Sequence, residues 1–401
     1  MQLASFTALL SQLGQSALVD AQGLEPKETD FLRCFTSLRR KYPDELAKAA
    51  LETAILRNEA RTKFPDPDRM YFTRPALEQA SSYEIARYRS SRYRSFSYLV
   101  DLGCSIGSDS LALAEISSIY GLDLDPLRLA MAHENLRAMN LDQKALFLQA
   151  DLSASLPIVE TKDAGVFFDP ARRTSQKRVY SVKEYQPPLS IIEKWLPHFP
   201  ALGVKISPAV HLSEIHGYPA EVEFISINGD LKEAVLWFGP LRTARRRATL
   251  LPGPFTWEEN SDFPGYTVSL SEQSTPLAEP AEYIYEPDPA ILRAGLVEQL
   301  AIRLGAAKLD PDIAYLTSNS GSETPFARYW KVEAWFPFQL KRLRKELRAR
   351  RVGKIRVKKR GSPLEPERLI SQLRLSGDEE RTVFLTHLRG RPIVILAENR
   401  D

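Results

Sequence analysis

Between residues 96 and 240 the chain alternates short apolar runs with segments of helical spacing, the pattern of a parallel sheet covered by helices. Ser97-Tyr98-Leu99-Val100 reads as a first strand, and Leu111, Leu113 and Ala114 give the next segment an apolar helical face. A second strand ends at Gly121-Leu122-Asp123, and Ala145–Asp151 reads as a third. A fourth, Ala164–Phe168, is wholly apolar and stops at Asp169-Pro170, because proline cannot continue a ladder of hydrogen bonds. Lys183–Leu196 carries helical spacing, Gly203–Pro208 is a fifth strand, and His211–His216 is a candidate short helix. Glu221–Ile227 then alternates polar and apolar residues, and Asn228-Gly229-Asp230 turns it into Lys232–Phe238, an antiparallel hairpin.

The flanks have other periods. Phe6, Leu9, Leu10 and Leu13, then Phe31, Leu32, Cys34, Phe35 and Leu38, then Ala47, Ala50, Leu51, Ala54 and Ile55 recur at helical spacing, with Pro43 and Pro65 as punctuation. Toward the C-terminus, Trp330–Phe336 reads as a strand, Leu340, Leu343 and Leu347 mark a helix, and Lys354–Lys358 is a strand. A helix over Pro366–Leu375 and a hairpin over Arg381–Thr386 and Pro392–Ala397 complete the order strand, helix, strand, helix, strand, strand. The stretch 248–328 has the weakest pattern, with turns at Pro252-Gly253-Pro254, Ser274-Thr275-Pro276 and Ser318–Thr324, and one amphipathic helix over Pro289–Gly305. The reading is therefore α/β, divided into an N-terminal helical segment (1–95), a doubly wound Rossmann-like domain (96–245), a connecting region (246–330) and a C-terminal α+β domain (331–401).

Candidate chemistry concentrates in Val100-Asp101-Leu102-Gly103-Cys104-Ser105-Ile106-Gly107 and in Asp123-Leu124-Asp125-Pro126. Glycines at 103 and 107 allow backbone to approach a ligand, and an acid at the tip of the second strand is placed to accept from a ribose diol. That pair points to an adenosine-containing cofactor. Asp101, ahead of the first glycine, would repel a pyrophosphate and suits a ligand bearing an ammonium and a sulfonium.

The segment Asp101–Gly107 resembles motif I of class I S-adenosylmethionine-dependent methyltransferases. The resemblance implies a site built from Asp101, Gly103, Cys104, Gly107, Asp123 and Leu124, with Asp151 accepting from the adenine amino group. Phe168-Asp169-Pro170 resembles the start of motif IV of enzymes that methylate nitrogen on planar bases. It makes Asp169 and Pro170 the candidate catalytic pair, Asp169 also facing the cofactor. After that proline the pattern departs, Ala171-Arg172 standing where a proline and a stacking aromatic would be. Met70-Tyr71-Phe72-Thr73 is similar to the segment that closes over the cofactor in trimethylguanosine synthase-like methyltransferases, which adds Thr73; Ser105 replaces a glycine of that group and would be strained at positive φ. Together with Glu221–Phe238 and Tyr285-Glu286-Pro287-Asp288-Pro289, these pieces make the chain resemble bacterial class I methyltransferases with a THUMP-like C-terminal domain.

Composition narrows the remaining choices. Two cysteines and five scattered histidines in 401 residues exclude a disulfide framework and give no metal-ligand spacing, so no metal is expected. No apolar run approaches a membrane span and the N-terminus lacks signal-peptide features, so no membrane partner is expected and the cytoplasm is the expected compartment. The net charge is only +3, yet Lys341–Arg360 holds twelve Lys or Arg and one acid. Such a face neutralises phosphates, and the THUMP resemblance implies RNA as partner, with Lys341, Arg342, Lys345, Arg348, Arg351, Lys354, Arg356 and Lys358, plus Arg172 and Arg173 near the cofactor, as candidate contacts. A second cluster, Arg242–Arg247, extends that face or is the polar side of an exposed strand. The expected activity is S-adenosylmethionine-dependent methylation of a base nitrogen in RNA. The alternatives are a protein or small-molecule methyltransferase, or an RNA-binding scaffold without catalysis. Oligomeric state is not legible.

Overall fold

The computed structural model describes residues 1–159, 161–172, 179–259 and 275–399. They cluster into two compact units, Met1–Val222 with Glu233–Thr243, and Glu223–Lys232 with Ala244–Asp401.

The first unit begins with helices Leu3–Leu10, Gln12–Gly23, Phe31–Leu38 and Asp44–Ala60. The last of these is the hub, its Ala47, Ala50, Leu51 and Ala54 all buried. Strands β1 (Tyr98–Leu102), β2 (Ser118–Asp123), β3 (Ala145–Gln149), β4 (Ala164–Phe168) and β5 (Leu202–Ile206) follow, then β6 (Glu221–Ile227) and β7 (Asp230–Trp237), the hairpin through which the chain passes to the second unit. Within the first unit the order is β3-β2-β1-β4-β5-β7. The first five strands are mutually parallel and β7 runs antiparallel to β5. β4 and β5 are buried along their whole length, which is why they read as continuous apolar runs.

Glycines in these two strands make room for a helix-borne tyrosine. Tyr93 is fully buried and its hydroxyl donates to the Val166 carbonyl at 2.9 Å, while its ring packs at 5.9 Å from Trp237. A Cβ on Gly203 would stand 2.4 Å from the Tyr93 hydroxyl oxygen, and one on Gly165 2.6 Å from its ring. The segment read as one helix over Lys183–Leu196 is instead two 3-10 turns and the short helix Ile192–Trp195, since Pro187 and Pro188 interrupt it.

In the second unit, β8 (Arg246–Leu251) and β9 (Phe255–Glu259) form an antiparallel ribbon. Strands β10 (Tyr283–Pro287), β11 (Ala307–Asp310), β12 (Ile313–Ser318), β13 (Ala327–Pro337), β14 (Val352–Lys359), β15 (Glu379–Leu388) and β16 (Arg391–Glu398) make a sheet of order β11-β12-β10-β13-β16-β15-β14. The stretch 246–330, read as connecting, thus carries β8 to β12, and β10 pairs directly with β13. The strand-helix-strand-helix-strand-strand order from β13 onward is as the sequence indicates. Helices Leu340–Ala349 and Pro366–Leu373 bury Leu343, Leu347, Leu369 and Leu373 against Val383, Leu385, Val394 and Leu396. The helix read over Pro289–Gly305 is broken into Pro289–Arg293 and Val297–Leu304, with Gly295 at φ +70° between them. Within the cluster Arg242–Arg247, Arg246 and the buried Arg247 point to opposite faces of β8 and pair with Glu259 and Glu258 across the β8–β9 ribbon.

Gly203→Ala forces Tyr93 and Trp237 out of a filled space. It is expected to lower stability by about 1–3 kcal/mol, the usual range for overpacking, read as a reduced urea midpoint with an unchanged slope.

Candidate functional site

The carboxyl ends of β1, β2 and β4 open onto a cavity of about 660 Å³ in the first unit. The loop after β1 is the tightest part of its wall. Gly103 has φ +78°, and a Cβ there would lie 2.8 Å from the Asp169 carbonyl oxygen, so only glycine lets this loop pass the end of β4. Ser105 does take positive φ, +49°, and its amide donates to Asp123 Oδ2 at 2.9 Å. Asp123 Oδ1 accepts from the Asp125 amide at 2.9 Å. One backbone donor on each oxygen fixes the carboxylate at the cavity wall and leaves further lone pairs to accept from a diol.

Gly103, Cys104, Asp123, Leu124, Asp151, Asp169, Pro170 and Arg172 all line this cavity. Asp151 is exposed and accepts from the Ser153 amide at 2.8 Å. Three residues assigned to the cofactor from sequence lie off the cavity. Gly107, at φ +78°, starts the helix Ser108–Ile116, and a Cβ there would press on Ala132 and Leu136 at 3.1 Å; its glycine serves helix packing. Thr73 caps the helix Arg74–Gln79 by accepting from the Ala76 amide, and it is Ala76, Gln79 and Ala80 beyond it that line the wall. Asp101 is fully buried beneath the loop, accepting from the Ser110 hydroxyl at 2.5 Å on Oδ2, while its Oδ1 has no partner among the described residues. Arg173 lies outside the described residues.

Burial pushes the Asp101 carboxyl well above the usual carboxylate range, and Asp109 and Asp169 push it further. Burial likewise raises the Cys104 thiol, with Asp101 and Asp123 adding to it, which makes Cys104 a protonated wall residue and no nucleophile. A cation in the cavity would relieve this mutual repulsion. The donor set therefore fits a ligand that carries positive charge and a diol, as S-adenosylmethionine does.

Three side chains absent from the sequence-derived set organise the site. Asn135, fully buried, donates to the Ile106 carbonyl at 2.8 Å and the Tyr71 carbonyl at 3.0 Å, and accepts from the Tyr71 amide at 2.7 Å. It ties the Met70–Thr73 segment to the glycine loop. Arg89, fully buried, pairs with Asp109 and, at 2.8 Å, with Glu233. Lys205 pairs with Asp169 Oδ2 at 2.7 Å. A lysine inside an otherwise apolar central strand was the one available sequence signal for the last of these.

In the second unit the basic run divides. Arg351 pairs with Asp378, Lys354 and Arg356 with Glu380, and Lys358 with Glu286. Arg342 lies 4.5 Å from the Phe336 ring centroid. Lys341, Lys345 and Arg348 are exposed, fall on one helical face at i, i+4 and i+7, and make no ion pair with any described residue.

Asp101 gives a pH test of this electrostatic picture. Its folded-state pKa lies above the ordinary value of 3.8, so above that pH the unfolded chain releases a proton that the folded chain keeps, and stability falls as pH rises toward the raised value. Asp101→Asn lacks this loss. The difference in Tm between variant and wild type is expected to grow in the variant's favour as pH rises from about 4; parallel curves of Tm against pH would refute the burial effect.

Comparison with known proteins agrees with this geometry. The C-terminal residues 327–399 match a family model described as THUMP domain-like, and residues 2–60 match a domain of unknown function (DUF8688). An uncharacterized S-adenosylmethionine-dependent methyltransferase of Mycobacterium tuberculosis, found in strains CDC 1551 and H37Rv, is 33% identical over 365 residues, covering 88% of this chain and 95% of the relative. A crystal structure provisionally described as a methyltransferase, from Porphyromonas gingivalis W83, superposes with a TM-score of 0.76 at 23% identity, over 94% of this chain and 100% of that one, and so shares the fold. The chain belongs to the S-adenosylmethionine-dependent methyltransferases, a transferase with S-adenosylmethionine as its cofactor.

Proposed function

We propose that the protein methylates a base nitrogen in RNA, with Asp169 and Pro170 at the point of transfer. The observation that carries the reading is Asp169. It ends β4 at the cavity, one of its oxygens is held by Lys205, and its Oδ1 makes no hydrogen bond to any described residue. A carboxylate fixed in this way accepts from an amine N–H and turns the nitrogen lone pair toward the methyl group. When bound, S-adenosylmethionine supplies a strongly electrophilic methyl, so orientation of the acceptor supplies much of the rate and little base strength is needed. On this reading Asp123 holds the ribose, Asp151 the adenine amino group, and Gly103, Cys104 and Leu124 the wall between, while Asp101 acts through its field from below the loop. Arg172 lines the acceptor side.

RNA as the acceptor is supported by the THUMP-like match and by the exposed face of Lys341, Lys345 and Arg348. Arg351, Lys354, Arg356 and Lys358 already face carboxylates, so the helix is the stronger phosphate-binding candidate.

Two measurements test the reading. Asp123→Ala loses a charged acceptor and is expected to bind S-adenosylmethionine roughly ten- to a hundredfold more weakly by calorimetry; unchanged affinity removes Asp123 from the ribose site. For the acceptor, labelled methyl transfer to small RNA from a strain lacking the gene is expected with the wild type and lost in Asp169→Ala, whose cofactor affinity persists. Binding of that RNA should weaken with salt, and changing Lys341, Lys345 and Arg348 together to Gln should flatten the log-log slope by about 0.7–0.9 per phosphate released. Salt-insensitive binding, equal in both proteins, would turn the assignment to a protein or small-molecule acceptor.

A further inference from the structure

Lys205 is the penultimate residue of β5, at its carboxyl end, and every residue of that strand is buried. Its ammonium donates to Asp169 Oδ2 at 2.7 Å, to Ser81 Oγ at 2.9 Å and to the Gln79 carbonyl at 3.4 Å. An ammonium has three hydrogens and each has an acceptor here, so Lys205 is spent as a donor and has no free position from which to take a proton or attack a substrate. Its three partners come from two different parts of the site. Asp169 lies where the acceptor would sit, whereas Gln79 ends and Ser81 follows the helix Arg74–Gln79, whose Ala76 and Gln79 wall the cofactor cavity. Ser81 is held from its other side as well, since its Oγ accepts from Arg89 Nη2 at 2.9 Å.

We propose that Lys205 is a positioning residue for methyl transfer, holding Asp169 with Oδ1 toward the acceptor and, with the same ammonium, pinning the cavity-covering segment at Gln79 and Ser81. The proposal rests on the reading of Asp169 as the acceptor-facing carboxylate. A lysine that only neutralised a buried acid would need one strong partner. The division of its bonds between the reacting carboxylate and the covering segment sets the two halves of the site in register, so that the covered cofactor and the carboxylate are placed together.

The test uses the full chain with S-adenosylmethionine bound and three variants, Lys205→Met, Lys205→Arg and Ser81→Ala. Hydrogen exchange of the peptide spanning 76–82 is expected to quicken in Lys205→Met and, less, in Ser81→Ala, and to return toward wild type in Lys205→Arg. Methyl transfer to the small RNA named above should show kcat reduced on the order of a hundredfold in Lys205→Met, the loss typical of a misplaced reacting group, with KM for S-adenosylmethionine nearly unchanged and partial recovery in Lys205→Arg. Ser81→Ala, which removes one acceptor and no charge, keeps the test usable if Lys205→Met does not fold. Wild-type exchange and wild-type kcat in both Ser81→Ala and Lys205→Arg overturn the proposal, as does a Lys205→Arg protein that folds normally yet has lost cofactor affinity and kcat in equal measure. If the wild type transfers no methyl to any RNA, the proposed substrate falls, and the exchange measurement still decides the role of Lys205.

Discussion

Two buried cations hold the cavity end of the first unit together. Arg89 and Lys205 share Ser81 Oγ, and between them they engage Asp109, Glu233 and Asp169. Arg89 also lies over the Phe167 ring at 4.5 Å. Burial opposes its charge, and the surrounding carboxylates of Asp109, Glu233 and Asp169 more than restore it. Removing one partner of such a set leaves an uncompensated charge in low dielectric and costs about 3–5 kcal/mol. The segment before β1, the helix after the glycine loop, the residue after β4, the carboxyl end of β5 and the middle of β7 are thereby fixed relative to one another.

The same layer shapes the electrostatics. Asp101 is driven up by burial and by Asp109, and burial also raises Glu233 despite Arg89 beside it. A fold that buries carboxylates so close to a cavity accepts a destabilising proton balance at neutral pH. A cationic ligand offsets it, since a positive charge in the cavity favours the ionised form of every one of these acids. On the proposed site, these buried acids favour a cationic ligand through their field.

How much of this was readable in the sequence differs by feature. Strands with both faces covered, such as β4 and β5, announce themselves as apolar runs, and the glycine loop was legible because positive φ at 103 and 107 requires that residue type. Two helices were overdrawn because periodicity carries no information on interruption: Pro187 and Pro188 break one and Gly295 the other. Strands β10 to β12 carry a weak local signal because turn-forming residues surround them, and only their pairing shows them, β10 with β13 and β12, and β12 with β11. Acids at strand ends are legible from sequence, and Asp123, Asp151 and Asp169 line the cavity. Gly107 and Thr73 were assigned to the ligand, although a glycine or a capping threonine serves backbone geometry equally well. Arg89, Asn135 and Lys205 give no local signal of their roles, because those roles depend on partners as far as 64 positions away for Asn135, 124 for Lys205 with Ser81 and 144 for Arg89 with Glu233.

The basic run illustrates the opposite error, in which a conspicuous composition overstates its own chemistry. A count of charges treats Lys341–Arg360 as one surface, but β14 lies beside β15, whose Glu380 takes up Lys354 and Arg356, while Asp378 takes up Arg351. Only the helical face retains cations without an ion pair among the described residues. Attraction of that kind falls with distance and salt and reads no base, so on the proposed function it can deliver an RNA without choosing its methylated atom. That choice must then be made at the end of β4. There Asp169 and Pro170 set the hydrogen-bond geometry, Ala171 is bridged to Gln186, and Arg172, Pro187 and Pro188 form the remaining wall. A nitrogen acceptor needs only a fixed acceptor oxygen and a flat approach, whereas a hydroxyl needs a base to remove its proton. On the proposed function, Lys205 holds Asp169 Oδ2 and leaves Oδ1 to accept from an amine N–H, so that the geometry of this one carboxylate, and not the basic helix, decides which nitrogen meets the methyl group.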